Sequence, residues 1–199
     1  MKQEDDVERN AALLIVDVQN DFCPNGALHV PDGDRVVAPI NRAIDRFRAE
    51  GLPVLASRDW HPPVTRHFQE YGGTWPVHCV RETTGAAFHP DLQLPPDVVI
   101  LSKGTDPDRD SYSAFDGASV DGILLEELLE TREIDHLYIG GLATDYCVKA
   151  TALEGLLLGK KVTILTDAIA GVDLEPGDSD RALAAIRQAG GEFIRLEEL

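Results

Sequence analysis

The sequence predicts an α/β fold, a three-layer sandwich in which a mostly parallel, six-stranded, Rossmann-like sheet carries helices on both faces. Three observations predict it. Short apolar runs of strand length recur along the chain, beginning with "AALLIVDV". They are continuous rather than alternating, as strands buried on both faces are. Between them lie segments with helical spacing, so strand and helix alternate almost throughout.

The elements follow in order. "AALLIVDV" is the first strand. "DRVVAPINRAIDRFRAEG" has helical spacing of Val36, Val37, Ile40, Ile44 and Phe47 and closes at Gly51. "LPVLASRD" is the second strand. From Trp60 to Pro96 the chain is rich in Pro, Gly and His with no regular period, and so long an irregular segment usually carries function. "DVVILSKG" is the third strand. "SVDGILLEELLETREI" reads as a helix capped at Ser119, "DHLYIGG" as the fourth strand, and "TDYCVKATALEGLLLGK" as a helix capped by Thr144. "KVTILTDA", "DSDRALAAIRQAGG" and "EFIRL" complete the pattern as strand, helix and strand. No repeat or low-complexity linker interrupts it. One domain over residues 1–199 is expected, with 1–10 as an acidic, solvated tail.

Composition narrows the partners. With 35 acidic and 18 basic residues the net charge is −17, the wrong sign for nucleic acid or an anionic membrane surface. No apolar run approaches the roughly 20 residues of a membrane span. The first residues, "MKQEDDVERN", are too polar for a signal peptide. An odd set of three cysteines (Cys23, Cys79, Cys147) argues against a disulfide framework and for a reducing cytoplasm. A homo-oligomer is compatible with the sequence.

In open parallel sheets, ligands bind outside the carboxyl ends of the strands. Asp17 follows the first strand, Asp59 and His61 the second, Lys103 the third, and "GLATDYC" the fourth. Cys147 lies in the first turn of its helix, where the dipole and Lys103 are expected to ease ionisation of the thiol. Asp17 can accept that proton and return it to a leaving amine, and the turn N–H groups of Ala143 and Cys147 can hold an oxyanion. These are the parts of an acyl-transfer hydrolase. Taken singly, each has a plain structural reading: a packed thiol, a surface lysine, a turn aspartate. The argument rests on their joint placement.

A second cluster is "DWHPPVTRH" with "GGTWPVHC". Asp59, His61, His67 and His78 suit one divalent transition metal ion, Zn, Fe or Mn. Cys79 is a rival donor. Phe22, Trp60, Trp75 and Tyr112 sit in loops, where they can stack on a flat ring or simply pin the long loop. His29, His89 and His136 are left structural.

Four segments in order, "LLIVDVQNDFCPNGAL", "SRDWHPPVTRHF" with "GGTWPVHCV", "LSKGTDPDRDSYSAF" and "IGGLATDYCVKATALEGLLLGKKVTILTDA", resemble bacterial nicotinamidases (pyrazinamidases) of the isochorismatase-like, or cysteine hydrolase, superfamily. The resemblance spans roughly residues 11 to 173. It implies a triad of Asp17, Lys103 and Cys147, and a metal held by Asp59, His61 and His67, with His78 as a fourth ligand. It implies a cis peptide between Leu142 and Ala143, and Phe22 and Trp75 flanking a pyridine ring, with Tyr112 nearby. It also implies hydrolysis of nicotinamide to nicotinate and ammonia through a Cys147 thioester, a step of NAD salvage, with pyrazinamide as a further substrate. Tyr146 stands where some relatives carry His and is expected at the pocket rim. Two rivals remain: a superfamily hydrolase acting on a carbamoyl or vinyl-ether substrate, which usually lacks the histidine set, and a non-catalytic metal-binding module.

Overall fold

The computed structural model describes residues 9–199; most of the acidic tail expected over residues 1–10 lies outside that range. Six strands form one parallel sheet: β1 (Ala11–Val16), β2 (Val54–Asp59), β3 (Val99–Lys103), β4 (His136–Leu142), β5 (Lys161–Ala170) and β6 (Glu192–Ile194). Their order is β3-β2-β1-β4-β5-β6, so the strand order reverses between β1 and β4. A crevice opens at such a switch point, outside the strand ends.

The continuous apolar run of β1 is explained by its central place. All six of its residues are buried, with Ala11, Leu13 and Ile15 packed into one core and Ala12, Leu14 and Val16 into another. Helix α1 (Val37–Ala49) covers the first face with Ile40, Ala43, Ile44 and Phe47. Helices α2 (Leu125–Thr131), α3 (Lys149–Leu157) and α4 (Asp178–Gln188) cover the second, through Leu125, Leu128, Leu129, Ala152 and Ile186. Gly141 has φ +128° and lies against the main chain of Val16, where a Cβ would overlap it. The Gly-Gly of β4 therefore lets β1 and β4 run side by side up to the crevice.

Two expected caps are corrected. The second helix begins at Leu125, not near Ser119. Gly122 sits at φ +80° and breaks the helical path, and Ser119 Oγ instead accepts the N–H groups of Asp121 and Ile123 at 3.2 Å each. Thr144 is not a cap either. Ala143, with extended backbone, precedes a π turn over Thr144–Val148 in which the Val148 N–H donates to Ala143 O at 3.1 Å, and α3 follows. Such a turn widens the helix by one residue at the point where Cys147 leaves it. No helix of the described residues is long and apolar enough to cross a membrane.

Candidate active site

The carboxyl ends of four adjacent strands carry the predicted polar residues, and the structure brings them together. Asp17 follows β1 at φ +48°, a left-handed position that aspartate tolerates better than most residues. Asp59 and Lys103 end β2 and β3 directly opposite each other in register. Cys147 comes from the π turn after β4, next to β1. Lys103 is fully buried, with Nζ 2.9 Å from Asp17 Oδ2 and 3.5 Å from Cys147 Sγ. Its remaining partner is Asp59 Oδ1.

Supporting residues hold these groups. Ser57 Oγ donates to Asp17 Oδ1 at 2.8 Å. Gln19, from the "VDVQNDF" segment, clamps the main chain of Asp59: its amide donates to Asp59 O and its carbonyl accepts Asp59 N–H, both at 2.8 Å. Asp17 Oδ2 is buried against the Lys103 ammonium, its counter-ion at 2.9 Å.

The electrostatics correct one expectation. Burial pushes the Cys147 thiol well up; Lys103 opposes this, but Asp17 and Asp59 reinforce it. One ammonium does not outweigh desolvation and two carboxylates, so the free thiol keeps its proton. Burial likewise raises Asp17, against Lys103, with Asp59 adding to the rise. Lys103 goes the other way: burial alone would lower it, but Asp17, Asp59 and Cys147 hold it well above its ordinary value. Burial would raise Asp59, but the Lys103 ammonium against it is the chief opposing charge, and the carboxyl is held below the usual carboxylate range.

The histidine cluster shares Asp59. The ligand atoms of His61, His67 and His78 lie within 4.8 Å of one another. Each ring spends Nδ1 on an oxygen: Gly104 O at 2.9 Å for His61, Asp110 Oδ1 at 2.8 Å for His67, Pro76 O at 2.7 Å for His78. A carbonyl or carboxylate oxygen only accepts, so each Nδ1 carries the proton and each Nε2 keeps a bare lone pair. His61 Nε2 is buried without a hydrogen-bond partner. Asp59 Oδ2 faces the group, 3.6 Å from His61 Nε2 and 3.9 Å from His78 Nε2. Burial lowers His67, and lowers His78 to about 4, so both rings are neutral donors at neutral pH. Three oriented imidazoles, one of them with an orphaned buried Nε2, and a carboxylate fit one divalent ion. Asp17, Asp59 and Cys147 also converge, but the Lys103 ammonium already lies among them, so the cation there is the protein's own.

A small cavity opens onto both clusters. Phe22, Trp75 and Tyr112 line it together with Cys147 and Ala143. The Leu142–Ala143 peptide is cis, as the resemblance implies. Trp75 Nε1 donates to Tyr112 Oη at 2.9 Å, and Tyr146 meets Trp75 edge-on at 4.8 Å, which places it in the wall. Trp60 does not join them; its ring carries the Arg58 guanidinium at 3.6 Å, away from the cavity. Cys79 is packed in the core, not in the donor cluster. Leu28 and Val172 complete the lining and were not marked by any pattern in the sequence.

Comparison with known proteins agrees with this geometry. The Isochorismatase domain family matches residues 11–198. The chain belongs to that family. Within it the similarity is to nicotinamidases: the chain is 42% identical over 203 residues to the nicotinamidase of Escherichia coli, covering 94% of this chain and 95% of that protein. It is 37% identical to the nicotinamidase/pyrazinamidase of Mycobacterium tuberculosis, over 92% of this chain and 97% of that one. Among solved structures, the pyrazinamidase of Pyrococcus horikoshii in complex with zinc superimposes with a TM-score of 0.86 at 42% identity, covering 94% of this chain and 99% of that chain. The chain is therefore an enzyme of the nicotinamidase/pyrazinamidase branch of the isochorismatase-like hydrolases.

Proposed function

We propose that the protein hydrolyses nicotinamide to nicotinate and ammonia through a thioester on Cys147. One observation carries the reading: a single carboxylate, Asp59, touches both Lys103 of the triad and the histidine cluster. The reacting sulfur and the donor cluster therefore face one small cavity with aromatic walls. The relatives named above act on nicotinamide or pyrazinamide by name, and pyrazinamide is proposed as a further substrate.

The chain's own groups suffice to move the protons. Cys147 holds its proton at rest, and the Asp17 carboxylate, paired with Lys103, is the acceptor. As the proton passes to Asp17, Sγ attacks the amide carbon, and the carbonyl electrons move onto oxygen. The N–H groups of Ala143 and Cys147 hold that oxyanion. Collapse breaks the carbon–nitrogen bond, and Asp17 gives its proton to the departing amine, which leaves as ammonia. A water then loses a proton to Asp17 and attacks the thioester. Collapse expels the sulfur, which takes the proton back from Asp17 and restores the thiol. Lys103 remains cationic throughout and balances whichever of Asp17 and Cys147 is charged. Phe22, Trp75 and Tyr112 would flank the ring and fix its plane. A divalent ion held by Asp59, His61, His67 and His78 would anchor the ring nitrogen and orient the amide. Free thiols at all three cysteines fit a reducing cytoplasm.

Ammonia release from nicotinamide tests the proposal, with Cys147→Ala as control. Release by the parent alone is expected; equal signals from both proteins would remove it.

A further inference from the structure

The three histidines are oriented unequally. His61 and His78 give their Nδ1–H to backbone carbonyls, at Gly104 and Pro76. His67 gives its Nδ1–H to a carboxylate, Asp110 Oδ1, at 2.8 Å. The ring is 5% exposed and the carboxylate 64% exposed, so the charge stays hydrated while its hydrogen bond reaches into the site. Resting on the reading of His67 as a metal ligand, we propose that Asp110 is the positioning residue of the metal centre. It locks His67 in the Nδ1–H form, aims Nε2 inward, and makes that nitrogen a stronger donor by placing negative charge behind the ring.

Asp110 is not what holds its loop in place. Pro107 O accepts the Arg66 N–H at 2.9 Å and Thr65 Oγ1 at 3.1 Å, and the Arg109 guanidinium bonds Asp116 at 2.7 Å. The segment after β3 stays docked on residues 65–67 without the carboxylate. A change at Asp110 should therefore act on His67 and leave the surrounding backbone in place.

The test is zinc affinity, measured by chelator competition on metal-stripped protein, for the parent, Asp110→Ala, Asp110→Asn, Asp110→Glu and His67→Ala. Loss of such a partner typically weakens binding about 10- to 100-fold, which is expected for Asp110→Ala. Asp110→Asn should fall between, because its amide oxygen still accepts Nδ1–H but carries no charge. Asp110→Glu should recover part of the loss. The His67 Nδ1–H resonance of the zinc-loaded protein should persist in Asp110→Asn at a shifted position, a signature that a purely structural role would not give. If Asp110→Ala does not fold, Asp110→Asn and Asp110→Glu decide. Zinc affinity within twofold of the parent in the alanine and asparagine variants overturns the proposal when His67→Ala is weakened. Parent-like affinity in His67→Ala removes the ligand assignment itself, and the inference with it.

Discussion

Replacing Lys103 with methionine tests the electrostatic frame of the site. The ammonium is fully buried, 2.9 Å from Asp17 Oδ2 and in contact with Asp59 Oδ1, so it neutralises one of two buried carboxylates. Methionine fills similar space but leaves two negative charges facing each other in the interior. A unit charge pair at about 4 Å and an effective dielectric near 20 is worth about 4 kcal/mol. Breaking buried pairs by removing one partner costs about 3–5 kcal/mol. For a chain of this size each kcal/mol moves Tm by about 2–4 °C, so Lys103→Met should melt about 6–20 °C below the parent at pH 7 in metal-free buffer. Without the lysine, both carboxylates gain folded pKa values raised above the unfolded ones. Stability in the variant is then retained at low pH and lost as pH rises through those raised values, so its deficit should shrink towards pH 5. Urea titrations at both pH values read this directly. A variant as stable as the parent at pH 7, or one whose deficit grows on acidification, would refute the reasoning. Amide hydrolysis should be lost at every pH.

Other perturbations address single links. Cys147→Ser should keep the fold, and its stability within about 1 kcal/mol, while losing turnover, because an alcohol ionises far less readily than a thiol; parent-like rates would count against the nucleophile. His61→Ala should lower metal content and raise KM, and full metal occupancy in that variant would contradict its assignment as a ligand. Gly104 sits at φ +65°, and a Cβ there would press on the His61 ring, 2.7 Å from Nδ1, so Gly104→Ala should displace the ring and cut metal content; unchanged occupancy by metal analysis would oppose this. The base must be ionised in the free enzyme, and burial raises Asp17 above its ordinary 3.8, so kcat/KM should fall on acidification with a midpoint above that value. Ser57→Ala removes a hydrogen bond that favours the ionised form and should move the midpoint upward; a downward shift in the pH–rate profile would reject the assignment.

The sheet was legible because its central strands are buried on both faces, which leaves an unbroken apolar run such as "AALLIV". Residues just beyond those runs are placed on one edge by topology alone, which is why the sequence groups Asp17, Asp59, Lys103 and Cys147. Helix starts were less legible. Ser119 and Thr144 have the chemistry of caps, but Gly122 and the π turn, both set by longer-range packing, decide where the helices begin. The ionisation state of Cys147 was misread for a related reason. The helix start and Lys103 are visible in sequence, whereas complete desolvation and the proximity of two carboxylates are properties of the assembled core. Leu28 and Val172 line the cavity from distant segments, and an apolar side chain in a loop carries no local mark of that role. Asp110 stood in one of the quoted segments, but its partner lies 43 residues away.

The central claim is a covalent bond between Cys147 and the acyl group of the substrate. Acid quenching within the first turnovers on nicotinamide, followed by intact-mass and peptide analysis, should show a nicotinoyl adduct mapping to Cys147 and absent from Cys147→Ala. Steady release of ammonia with that sulfur never acylated, and with turnover undiminished in the alanine variant, would contradict the account.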